Sequence, residues 1–335
     1  MRAELLELAR GVRAGERAAL ARAITLVEGR RADQEADAQE LLAHLLPHAG
    51  GASRVGVSGV PGVGKSTFVE ALGMRLVESG KRVGVLAIDP SSAVSGGSIL
   101  GDKARMHRLA QHPGAFIRPS PSAATLGGVT RRTRESIVLL EAAGYDVVLV
   151  ETVGVGQSEY AARDLVDVFL VLALPGAGDE LQGMKRGILE VADVVAVNKC
   201  DGEREALARD AARMLAFALT SFGASDARDP VPVLCVSAQT GLGLDELWSA
   251  IEARVAHERA SGELLRRRAS QNERWLLERV REELFASFEK HAGVAGLLAD
   301  VKQRVREGRA TPIQGASELL AAYRSIPRPT WRIRV

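Results

Sequence analysis

The sequence predicts an α/β fold of the doubly wound kind: a mostly parallel sheet between helical layers, with N-terminal helices and a C-terminal helical extension. Three observations predict it. From residue 54 onward short β-branched runs alternate with helical stretches. Several of those runs are apolar at nearly every position, as strands covered on both faces must be. After Gly243 the periodicity turns helical and stays so.

Taken in order, residues 3–46 carry apolar side chains at helical intervals, as in Leu20, Ile24 and Val27, then Leu41, Leu42, Leu45 and Leu46. The pattern breaks at His48-Ala49-Gly50-Gly51, so residues 1–50 form an N-terminal helical segment. Strands are expected over 54–58, 82–88, 146–150, 168–174, 194–197 and 231–237, within a central domain of residues 51–255. Leu244, Leu247, Trp248, Ile251 and Val255 open the helical part, followed by Leu277, Val280, Leu284 and Phe288, then Val294, Leu297, Leu298, Val301 and Val305. Thr311-Pro312 supplies an N-cap and a first-turn proline for a last helix through Tyr323. Residues 256–335 are the C-terminal extension.

Composition narrows the class. With 335 residues, 46% of them apolar and 26% charged, the chain can bury a core without disulfides and is neither fibrous nor disordered. No apolar run approaches the roughly 18 residues that cross a bilayer, and Glu4 and Glu7 sit where a signal peptide is apolar, so a cytoplasmic protein without membrane attachment is expected. Cys200 and Cys235, the two cysteines, both lie in apolar runs and read as reduced, buried thiols. Residues 251–335 hold 17 basic and 11 acidic side chains, a local +6. Their interspersed spacing and the scarcity of aromatics make solvated helix faces, not a nucleic-acid surface.

Gly59-Val60-Pro61-Gly62-Val63-Gly64-Lys65-Ser66 follows a strand and precedes the helical run from Thr67 to Ser79. This is the P-loop pattern. Small glycines let backbone N–H groups curl around phosphate oxygens, Lys65 reaches the β and γ phosphates, and the Ser66 hydroxyl ligates Mg²⁺. The fold is therefore read as a P-loop NTPase.

Asn198-Lys199-Cys200-Asp201 ends an apolar strand as the N-K-x-D arrangement of GTP-binding proteins. Base chemistry explains the aspartate. A carboxylate at Asp201 accepts hydrogen bonds from guanine N1–H and its 2-amino group, whereas adenine offers a lone pair at N1 and no 2-amino donor. Asn198 approaches O6 and N7 or braces the loop, and the Lys199 stem covers the base and ribose face. Ser237-Ala238 ends the last strand where a backbone N–H can meet O6.

Glu151 stands at a strand end with Gly154 three residues on, which suits a γ-phosphate sensor: the carboxylate holds Mg²⁺ directly or through water, and the Gly154 amide bonds the γ-phosphate. Asp89, before Pro90-Ser91-Ser92, is a second acid for the metal. The segment 91–129, rich in Gly, Ser and Pro and containing Asp102, Lys103 and Arg105, reads as a nucleotide-ordered switch. A further glycine-rich stretch runs from Gly176 to Lys185. Gln157 reads as a solvent-facing polar residue rather than a water-positioning one, and His107 and His112 lack the companions a metal site needs.

With these residues in hand, the chain resembles the MeaB/ArgK family of GTPases associated with adenosylcobalamin-dependent methylmalonyl-CoA mutase. The resemblance rests on Gly59 to Thr67, Asp89-Pro90-Ser91-Ser92, Gly101 to Met106, Phe116 to Ser122, Glu151 to Glu159, Gly176 to Lys185 and Asn198 to Asp201. It implies a GTP-hydrolysing G-protein chaperone that binds GTP and GDP with Mg²⁺, docks on the mutase and gates cofactor loading and protection or reactivation. It further implies a homodimer joined through the C-terminal helices. Carried onto matching positions, it gives Lys65 and Ser66 to phosphate and Mg²⁺, Asp89, Asp102 and Glu151 to the metal and switches, and Lys185 to a third switch. Two other readings compete: a P-loop kinase linked to amino-acid transport, for which no acceptor motif is present, and a metal-insertion GTPase, which would need clustered His and Cys.

Overall fold

The computed structural model describes residues 2–29, 31–88, 106–119, 126–152, 158–175, 186–223 and 230–325. The chain divides into two compact units, Met1–Arg267 and Arg268–Val335.

The first unit begins with helices α1 (Ala3–Arg13), α2 (Arg17–Glu28) and α3 (Ala32–Leu45). Then come β1 (Ser53–Gly59), α4 (Lys65–Glu78), β2 (Val83–Ile88), α5 (His107–Gln111), β3 (Ala115–Arg118), α6 (Leu126–Ala142) and β4 (Val147–Thr152). They are followed by α7 (Ser158–Arg163), β5 (Val168–Ala173), α8 (Arg186–Glu190), β6 (Val194–Val197), α9 (Glu205–Gly223), β7 (Val233–Cys235) and α10 (Leu244–Ala260). The strands form one sheet in the order β3-β2-β4-β1-β5-β6-β7, every pair parallel. Parallel neighbours need crossovers, and these carry helices to both faces.

Alternation along the strands builds two cores. Val148, Val150, Phe169, Val171, Val195 and Val197 face a layer containing Leu20 and Ile24 of α2, Leu41 of α3 and Ile137 and Leu140 of α6. Val57, Val85, Leu149, Leu170 and Ala196 face Phe68, Val69 and Leu72 of α4 and Leu247 and Ile251 of α10. Each such valine, leucine, isoleucine or phenylalanine, removed from water, contributes roughly 1.5–3 kcal/mol. The N-terminal helices thus share the core of the sheet's first face.

Two expectations need correction. β3 lies inside the segment read as one long switch loop. It has four residues on the sheet edge between Gly114 and Pro119, too short to register as a period-2 pattern. The last strand is three residues long where seven were expected, and it starts only after Pro232, which cannot donate to a ladder. Its Cys235 is half-buried, while Cys200 is fully buried.

Helix α11 (Glu263–Lys290) starts in the first unit and runs into the second, which adds α12 (Ala292–Arg306) and α13 (Pro312–Ser325). Thr311 caps α13 reciprocally with Gln314: the Gln314 N–H donates to Thr311 Oγ1 at 3.2 Å and the Thr311 N–H to Gln314 Oε1 at 3.0 Å. At Gly315 an added Cβ would lie 2.8 Å from Val301 Cγ1, so glycine lets α12 and α13 approach closely. Arg304 closes that pair with two bonds of 2.8 Å to Glu318.

Candidate nucleotide site

The loop between β1 and α4 passes against β5. At Gly59 (φ 151°) an added Cβ would meet the Leu172 carbonyl at 2.5 Å, and Gly62 and Gly64 adopt φ 81° and 93°, which side-chain-bearing residues rarely take. Lys65, buried at the first turn of α4, donates from Nζ to the carbonyls of Gly59 (2.8 Å) and Val60 (3.2 Å). Its ammonium therefore spans the same loop whose amides precede the helix. Helix α4 contributes the positive end of its dipole at this point.

Strand register brings the acid to the hydroxyl. Val57 of β1 pairs with Glu151 of β4, and the buried Glu151 accepts a 2.8 Å bond from Ser66 Oγ through Oε1. One residue further, Thr152 Oγ1 donates to Ser58 Oγ at 3.0 Å, both groups buried, locking the two strand ends together.

Asn198 leaves β6 and uses both halves of its amide for bracing. Nδ2 donates to the Val63 carbonyl (2.8 Å) and Oδ1 accepts from the Ala238 N–H (3.2 Å). The sequence had left Asn198 open between base contact and bracing, and had aimed the Ala238 N–H at O6; here the two bond each other. Lys199 takes φ 61°, alone among described non-glycine residues in that region, and its Nζ donates to the Gly62 carbonyl at 2.9 Å. Asp201 accepts a hydrogen bond from Ser237 Oγ, which in turn accepts from the Thr240 N–H at 3.1 Å. The carboxylate is thus held by one oxygen.

Around these groups lies a cavity of about 560 Å³, lined by Gly64, Thr67, Asn198, Lys199, Asp201 and Ala238 together with Gly202, Glu203, Arg204 and Gln239. Its size suits a nucleoside rather than a macromolecule. The last four residues had not been singled out; the only sequence signal was their position directly after the two base motifs. Of the remaining expected residues, Pro61 lies in the described loop, whereas Asp89, Asp102, Gly154, Gln157 and Lys185 fall outside the described residues.

The profile of the family described as methylmalonyl-CoA mutase-associated GTPase MeaB matches residues 20–292. The chain belongs to this family of GTPases. It is 53% identical over 313 residues to a probable GTPase of Mycobacterium tuberculosis, covering 93% of both chains. A mouse mitochondrial protein described as a methylmalonic aciduria type A homolog is 43% identical over 328 residues, 94% of this chain and 78% of that one. A crystal structure described as a LAO/AO transport system kinase superposes with a TM-score of 0.75 at 37% identity, covering 96% of this chain and 98% of that one. The MeaB-family match and the parallel sheet agree on a P-loop GTPase architecture.

Proposed function

We propose that this MeaB-family GTPase is a G-protein chaperone: it binds and hydrolyses GTP and docks on an adenosylcobalamin-dependent acyl-CoA mutase, with methylmalonyl-CoA mutase as the partner, to gate cofactor loading and protection or reactivation. The observation that carries the nucleotide part is the Asp201 carboxylate held by Ser237 at the wall of a nucleoside-sized cavity. The mutase part is supported by the family's description and by the mouse relative's.

In this reading guanine lies along Asp201 with the Lys199 stem across its face, and the triphosphate runs over Gly59 to Thr67. Lys65 exchanges its loop carbonyls for phosphate oxygens, a charge-assisted contact. Ser66 Oγ and the Glu151 carboxylate meet at 2.8 Å as hard oxygen donors, the kind Mg²⁺ takes, and would hold it together with Asp89. Bound there, the ion supplies neutralisation of phosphate charge. Asp102 and Lys185 take switch roles, and Gly154 senses the terminal phosphate. Slow hydrolysis by the isolated protein follows, because no arginine is assigned to the transition-state charge.

The second copy of a homodimer is expected on α11, where Leu277, Val280 and Leu284 are exposed at helical spacing beside Leu276 and Phe285. A cytoplasmic location accords with the absence, among the described residues, of any helix long and apolar enough to cross a membrane. A kinase linked to amino-acid transport is the second reading, the similar crystal structure being described as a LAO/AO transport system kinase; it requires ATP, which Asp201 disfavours.

The test uses the purified protein with purified methylmalonyl-CoA mutase. GTP hydrolysis should rise several-fold on adding mutase, and complex formation followed by sedimentation should differ between GDP and a GTP analogue. Preference for ATP over GTP would reject the guanine site, and equal behaviour with and without mutase would reject the partner.

A further inference from the structure

The guanine loop rests on the only two thiols in the chain. Cys200 fills the variable position of Asn198-Lys199-Cys200-Asp201 and is fully buried; Cys235 ends β7 and is half-buried. The two segments are stitched together. Cys200 N–H donates to the Val236 carbonyl at 2.9 Å, Val236 N–H to the Val197 carbonyl at 2.8 Å, and Val197 stands in register with Cys235. Both side chains belong to the same core layer, Cys200 buried in it and Cys235 packed against it. Burial, with Cys235 next to it, pushes the Cys200 thiol up to about 11, so Cys200 is not the thiol that meets an oxidant first.

Cys235 is the accessible one. Its Sγ donates weakly to the Ala208 carbonyl at 3.6 Å and borders a cleft of about 470 Å³ shared with Ala206, Arg209, Asp210 and Arg213. Arg209 is paired with Glu205 and Arg213 with Asp210, so the cleft has no strong excess of charge and suits a small neutral oxidant more than an anion.

We propose that Cys235 and Cys200 form a two-electron redox pair, oxidised by a small peroxide to a disulfide that disables guanine recognition; this rests on the guanine site proposed above. The Cys235 sulfur attacks a peroxide oxygen, the O–O bond breaks, and a sulfenic acid and one water result. The Cys200 sulfur then attacks the sulfenic sulfur, the S–O bond breaks, and a second water leaves with the thiol proton. In sum two thiols and one hydrogen peroxide give one disulfide and two waters.

The loop cannot absorb this change. A covalent S–S bond of about 2.05 Å is far shorter than any non-bonded sulfur–sulfur contact, so it draws Cys200 toward β7. Lys199 before it is already at φ 61°, and Asp201 after it is tied to Ser237 just beyond β7. Asn198 is tied to Ala238 in the same segment. Moving Cys200 therefore displaces Asp201 and the brace on the phosphate loop together.

The experiment treats the reduced full-length protein with hydrogen peroxide, blocks free thiols, and follows both cross-link and nucleotide. Expected are a tryptic peptide pair joining Cys200 to Cys235 with loss of two hydrogens, free thiols falling from two to none, and affinity for fluorescent GDP at least tenfold weaker, restored by dithiothreitol. Cys235→Ser should bind GDP like the reduced parent and keep that affinity in peroxide. Cys200→Ser should yield no cross-link. A disulfide-joined dimer, sulfinic acid at Cys235 without cross-link, or a cross-link with unchanged GDP affinity would each overturn the proposal. Failure of the reduced parent to bind GDP would instead strike the guanine site, and the cross-link mass would still decide the redox pair.

Discussion

The two edges of the sheet are built on opposite plans. At the carboxyl edge, functional side chains lean on backbone carbonyls and on one another through one or two hydrogen bonds each: Lys65 on Gly59 and Val60, Lys199 on Gly62, Asp201 on Ser237. At the amino edge, charges are buried and multiply paired. Arg54 makes a two-pronged bridge to Glu141 with bonds of 2.9 and 2.8 Å. Asp193 takes Arg254 at 2.9 Å, Arg163 at 3.3 Å and the Phe169 N–H at 2.8 Å; Arg267 bonds Glu258 at 2.6 Å. Burial among neighbouring guanidiniums lowers the pKa of Arg163, with Asp193 opposing. One or two contacts to loop groups can be exchanged for a ligand at small loss, whereas a buried, multiply paired ion cluster costs several kcal/mol to open and so fixes the strand ends from below.

That contrast can be broken most forcefully from below. Asp193→Ala should cost about 3–5 kcal/mol of stability by removing the buried carboxylate that Arg254, Arg163 and the Phe169 N–H share, seen as a lower urea midpoint at unchanged slope, while the folded fraction keeps its GDP affinity. A loss under about 1 kcal/mol would mean that the amino edge is not held by its ion cluster. Lys65→Ala should do the converse: GDP affinity falls roughly a hundredfold by calorimetry, with a smaller loss of stability than Asp193→Ala, since it removes the ammonium that meets phosphate and opens no ion cluster. Asp201→Asn should weaken GDP roughly ten- to a hundredfold and favour xanthosine diphosphate, whose 2-oxo group wants a donor; unchanged GDP binding would contradict the base argument. The smallest effect is expected for Ser237→Ala, about 1 kcal/mol in GDP affinity from a carboxylate no longer held in place, measured by competition with fluorescent GDP.

How much of this was legible before the fold was known depends on how local each feature is. Gly59 to Ser66 and Asn198 to Asp201 could be read because spacing within eight residues dictates their chemistry. The central strands were legible because they are buried on both faces and apolar throughout. β3 was not, since an edge strand of four residues beside a proline carries no periodic signal. Nor could spacing show that Asn198 braces Val63, 135 positions earlier, or that Arg54 finds Glu141, 87 positions later.

The sequence by itself determined the alternation of strands and helices and the two nucleotide motifs, because glycine freedom, apolar period and donor type are properties of neighbours along the chain. Only the tertiary structure decided that Glu151 faces Ser66, that Asn198 serves the phosphate loop, that Cys200 lies against Cys235, and that charges close the opposite edge. Those meetings depend on which strands pair and in what register, and parallel pairing joins residues whose separation no local pattern encodes.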